Sequence, residues 1–181
     1  MDEKKKARVE AAAQAAVERR QKAIVSLAHC LGRADVYRRH HDGLVHEMLK
    51  AEGIEAFTNA KKLRFAAYVC AWFAGLSGVI ERYQQLVNNG TLPQSDKLAA
   101  LMTPEFVDLV KSFRNAVSHC SNHDDDRVLD LLATPDATPD RAAELSVAFQ
   151  QYFELHSARP IYVSETEPPK SASAIVRPNE R

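Results

Sequence analysis

One segment of the chain gathers side chains able to do proton and anion chemistry: Phe113-Arg114-Asn115-Ala116-Val117-Ser118-His119. His119 is of the type that titrates near neutrality and carries a proton in mild conditions. Arg114 offers a rigid fork of donors to an anion. Asn115 can orient an imidazole or bind an anionic oxygen. The spacing predicts a helix in which Phe106, Leu109, Val110, Phe113 and Val117 fall in one narrow stripe, the face turned to the core. Asn115 and His119 are a turn apart on the side away from that stripe, and Arg114 lies on its flank. The same residues also suit an ordinary helix C-terminus, where Arg and His favour the dipole and meet solvent. Arg114 and His119 are five residues apart, about 140° round a straight helix, so one straight rod does not aim both at one group. Either the helix distorts near Ser118 or a second chain completes the site.

The segment resembles the Arg-Asn-x-x-x-His signature of the HEPN superfamily, the higher-eukaryote and prokaryote nucleotide-binding family of helical bundles. Arg114, Asn115 and His119 match it residue by residue. The wider arrangement is similar too: YVCAWFAGLSGVIERYQQL, a turn, FRNAVSHC, DDRVLDLL and a closing helix, over roughly residues 60 to 156. Many members are ribonucleases of toxin–antitoxin and phage-defence systems. The resemblance implies metal-independent cleavage of RNA by attack of the ribose 2′-OH on the adjacent phosphate, with no cofactor. It implies His119 in acid–base work, Arg114 in charge stabilisation and Asn115 in positioning, with Ser118 in support. Glu81 either holds Arg114 in place or is a solvated carboxylate near a helix end. Family members commonly pair these motifs across a homodimer, so a homodimer is expected here, and an antitoxin protein is a candidate partner. The rival reading is a helical module of the same fold that binds nucleotide, RNA or a partner protein without catalysis.

These residues need helices to hold them. Residues 4–31 and 34–52 read as two helices, broken at Gly32 and closed at Gly53. The first half of the first one, residues 1–20, is Ala-rich and polar, as in a projecting extension. A long helix from about Phe57 to Val87 stops at NNGTLP. On it Phe65, Val69, Trp72, Leu76, Val79 and Tyr83 share a bulky face, and Ala67, Ala71, Ala74 and Gly78 lie roughly opposite. That pattern predicts a helix packed on both sides. A short helix over 95–102 follows, and Thr103-Pro104-Glu105 reads as a cap, a first-position proline and a first-turn acid. Residues 122–133 suggest another short helix, and 139–156 the last one. The whole is an all-α antiparallel bundle of four core helices with extra helices, one domain over 1–158 and a disordered tail over 159–181.

Composition bounds the partners. Lys plus Arg equals Asp plus Glu at 24 each, so no whole-chain basic coat exists for nucleic acid and any attraction is local. Residues 19–41 hold six basic residues against one acid, which makes Arg33, Arg38 and Arg39 candidates for an RNA backbone contact beside the plainer reading of a solvated face. Residues 122–140 carry six Asp against one Arg and would repel a phosphate backbone lying beside them, which favours the rival. His119, Cys120, His123 and Asp124 to Asp126 are metal-ligand types, yet the cluster is local and has no second ligand pair, so no metal is implied. His40, His41 and His46 lack metal spacing and read as a polar helix surface. Trp72 and its aromatic neighbours read as core. Three widely spaced cysteines, Cys30, Cys70 and Cys120, suit reduced thiols in a cytoplasmic protein. The apolar run Phe65–Ile80 falls short of the ~20 residues of a membrane span, so no membrane is expected.

Overall fold

A computed structural model describes residues 3–50, 58–118 and 139–157 of the chain. They form α1 (Glu3–Lys50), α2 (Asn59–Asn88), α3 (Asp96–Leu101), α4 (Pro104–Ser118) and α5 (Pro139–His156). No strand occurs among the described residues, and the fold is the expected all-α bundle. Gly53, the helix expected over 122–133 and the tail from 159 lie outside the described residues.

The break expected at Gly32 does not occur. Residues Ile24, Leu27, Ala28, Leu31, Ala34 and Asp35 follow helical three- and four-residue spacing, His41 lies two turns beyond Ala34, and all are buried, so the packing stripe runs straight across the glycine. Burial of that stripe outweighs the ~1 kcal/mol that Gly costs in a helix interior. His41 is therefore not on a polar surface. It is 4% exposed, with its ring 4.9 Å from Phe65 and 5.7 Å from Trp72. Residues 3–19 are exposed throughout.

Thr58 caps α2 with its side chain, accepting from the Lys61 amide at 3.4 Å. The helix ends where the Asn-Asn-Gly stop predicts, with Gly90 at φ +72° and its amide bonded to the Val87 carbonyl. Leu63–Asn88 is long and apolar enough to cross a membrane by length and composition, with a mean hydropathy of 1.5. In this fold the same residues form the central core helix, which is compatible with a soluble protein. Ala34 meets Gly75, His41 meets Trp72 and Phe65, and Glu47 meets Lys61, so α1 and α2 run antiparallel.

The small-residue side of α2 is not covered as expected. Of its two glycines, Gly75 takes close packing: a Cβ there would stand 2.8 Å from the Ala34 Cβ. Gly78 and Ala67 are exposed, and a Cβ on Gly78 would meet nothing within 4 Å. Gly78→Ala is therefore expected to stabilise the protein by about 1 kcal/mol through helix propensity. Gly75→Ala is expected to destabilise it by about 1–3 kcal/mol by forcing α1 from α2. Urea midpoints of the two variants check this, and a stabilised Gly75→Ala would show that the contact yields at no cost.

Of the expected α4 stripe, Phe106, Val110 and Phe113 are buried and Leu109 is half-buried, and the Phe113 ring lies 4.7 Å from Phe73 of α2. Thr103 Oγ1 accepts from the Phe106 amide at 3.5 Å and Pro104 takes the first position. Arg141 of α5 donates to Thr103 Oγ1 at 2.9 Å and lies over the Phe106 ring, locking α5 to the start of α4. At the other end of α5, Arg20 of α1 donates to His156 Nδ1 at 2.8 Å.

Burial, and then Arg20, hold His156 below the ordinary histidine value of 6.5. The unfolded chain thus binds the proton more readily than the folded one, so this contribution is whole above pH 6.5 and is lost as pH falls below it. The thermal midpoint is expected to drop as pH falls below about 6.5, and His156→Gln to flatten that drop. An unchanged slope in the variant would assign the acid sensitivity to other groups.

Candidate functional site

Arg114 lies on α4 beside the buried stripe, its side chain 38% exposed. Its Nη1 donates to Glu81 Oε2 of α2 at 2.5 Å, and Glu81 is equally exposed. Of the two readings of Glu81, the structure shows the one in which it meets Arg114. Solvent screens a pair this open, so its effect is to fix the guanidinium rather than to stabilise the fold strongly. Asn115 follows Arg114 and is exposed on the side away from the core. Ser118 is the last residue of α4. The side chains of Val117 and Ser118, with His119, Cys120, His123 and Asp124 to Asp126, lie outside the described residues. The structure thus joins Arg114 to Glu81 and leaves Asn115 exposed one residue further on.

At about 100° per residue, Ala67, Ala71, Ala74, Gly78 and Glu81 fall on one strip of α2. Glu81 and its guanidinium partner therefore stand at the end of the small-residue strip. That strip forms part of the floor of a groove of about 630 Å³ between α1 and α2. Cys30, Arg33, Tyr37 and His40 of α1 face Tyr68, Ala74, Gly75 and Gly78 of α2 across it. Reading α1 for its core stripe alone missed this. The signal was a second series, Cys30, Arg33, Tyr37 and His40, recurring every three or four residues beside the buried one.

The three arginines read as RNA contacts part company. Arg38 donates to Asp35 at 2.6 Å and to Asp42 at 2.9 Å. Arg39 lies 3.6 Å from the other Asp35 oxygen. Both answer carboxylates of their own helix, and Asp35 is 8% exposed and in need of them. Arg33 is exposed, its Nη2 3.7 Å from Cys30 Sγ, and it has no ion pair among the described residues.

His41 is bonded through Nδ1 to Asp42 at 3.1 Å. Its Nε2, Trp72 Nε1 and Ser77 Oγ are buried without a hydrogen-bond partner among the described residues. Cys30 and Cys70 are thiols. No group of three or more His, Cys, Asp or Glu side chains comes together among the described residues.

Comparison of the chain with protein-family models, curated proteins and solved structures finds no match. The functional reading rests on these residues and their placement.

Proposed function

We propose that the chain is a HEPN-like, metal-independent endoribonuclease acting as a toxin or phage-defence effector. The observation that carries the reading is the seating of Arg114 by Glu81 at the end of a helix whose next residue is His119. In this reaction His119 takes the proton of a ribose 2′-OH, and that oxygen attacks the adjacent phosphorus. The bond to the 5′-oxygen breaks, the leaving oxygen receives a proton, and a 2′,3′-cyclic phosphate and a 5′-OH result. Arg114 neutralises the charge that builds on the phosphorane oxygens. Asn115 orients the imidazole or a phosphate oxygen. Arg114 and His119 are five residues apart in the chain, and in this reading a second copy completes each site, so the reading carries a homodimer, with an antitoxin protein as the natural restraint.

Specific observations also favour the rival, a helical module that binds without cutting. Arg114, Arg38 and Arg39 each face a carboxylate, and the formal net charge is zero. Incubating RNA with the intact protein in EDTA separates the two. Cleavage that leaves cyclic phosphate ends and vanishes in His119→Ala, with thermal unfolding unchanged, supports the enzyme. Intact RNA supports the module, and cleavage that EDTA abolishes would bring in a metal.

A further inference from the structure

We infer that the α1–α2 groove is a base-stacking subsite for single-stranded RNA that leads the strand to Arg114. The choice of RNA rests on the ribonuclease reading; the stacking does not. The groove offers aromatic faces: the His40 and Tyr68 rings are stacked at 5.1 Å with 20° between planes, and Tyr37 is 42% exposed at its edge. It offers a cation, Arg33, with no carboxylate against it among the described residues. No Asp or Glu is among the residues that line it, in a chain where one residue in seven or so is acidic.

The floor is small enough to admit a flat ring. Gly78 leaves open space where a Cβ would be, and about 630 Å³ lies within the usual range of ligand sites. Aromatic faces with an unpaired cation and no acid describe a surface for bases and their phosphates, since every base has a π-face and stacking tolerates any sequence. The direction follows from α2. From Tyr68, which stacks on His40, to Glu81 the helix climbs about 20 Å, at about 1.5 Å per residue, a span of a few nucleotides that ends at the Glu81–Arg114 pair. A strand whose bases stack at Tyr37 and His40 brings a phosphate toward the guanidinium.

Stacking does not read the 2′-OH, so single-stranded DNA serves as a probe that the proposed chemistry cannot cut. The experiment is fluorescence anisotropy of a labelled mixed-sequence DNA of about 12 nucleotides, titrated with the full chain in EDTA. Binding by the parent is expected, with the matching duplex bound more weakly. Tyr37→Ala is expected to weaken binding by about 5- to 150-fold, the equivalent of about 1–3 kcal/mol per stacked base. Tyr37→Phe keeps the ring and is expected to bind as the parent does. Gly78→Trp fills the groove from a position with free space and is expected to block it.

No binding by the parent, equal binding of duplex, or parent-like binding by both Tyr37→Ala and Gly78→Trp overturns the subsite. So does binding of an acidic peptide in place of the oligonucleotide. Failure of the enzyme reading looks different: groove-dependent binding with RNA left intact sinks the ribonuclease and leaves the subsite standing. RNA cleaved by a parent whose groove variants bind and cut equally well does the reverse.

Discussion

Alanine at Arg114 is expected to lower RNA cleavage by about 10²- to 10³-fold while thermal unfolding stays within a degree or two of the parent, the cost of removing one aligned donor from a developing anion. The stability half follows from exposure. The Arg114 side chain is 38% exposed and its pair with Glu81 is screened, so little folding energy goes with it. Glu81→Gln keeps an acceptor at the same place and removes the charge. It is expected to lower kcat less than Arg114→Ala does, because the guanidinium loses its anchor and not its presence. Mixing Arg114→Ala protein with His119→Ala protein tests the shared site. If each site takes Arg114 from one copy and His119 from the other, mixed dimers regain one intact site and activity returns. If both residues serve from one chain, the mixture stays inactive and the second copy is not part of the chemistry.

How far the residues announced this arrangement varies along the chain. The start of α4 is legible because its devices are local: Thr103 caps, Pro104 fits the first turn, and Phe106, Val110 and Phe113 repeat on one face. The close of α2 at Gly90 is legible for the same reason. The continuity of α1 is not. Its packing stripe passes through Asp35 and His41, polar types that a hydrophobic pattern does not count, and Gly32 ahead of them reads as a stop. Tertiary packing overrides that weak local signal.

The two glycines of α2 show a different limit. Gly75 and Gly78 read alike in the sequence, yet one meets Ala34 and the other meets nothing. Only the placement of α1 separates them, and propensity carries no information on it. The candidate site has the same character. Arg114 and Glu81 are 33 residues apart, and their types permit a pair without requiring one. The groove needs the register of two helices, because Tyr37 and Tyr68 are unremarkable until α1 and α2 lie side by side.

Truncating Phe113, one residue before Arg114, is expected to act in the opposite manner. Phe113 is fully buried and its ring lies 4.7 Å from Phe73, which joins α4 to the central helix. Phe113→Ala leaves a cavity there, and such a loss costs about 3–5 kcal/mol. For a chain of this size that lowers the thermal midpoint by roughly 10 °C. Activity is expected to fall as well, but at a temperature where the variant is folded it should recover more of the parent rate than Arg114→Ala does, because the donor is present and only its support is loosened. Neighbouring residues would thus separate two roles within one helix turn: Phe113 holds α4, and in the proposed reaction Arg114 acts from it. Denaturant unfolding alongside cleavage rates at low temperature makes the comparison. A Phe113→Ala variant destabilised by less than about 1 kcal/mol, well below the range for a buried aromatic, would mean that α4 is not anchored by this contact. The position of Arg114 would then need another cause.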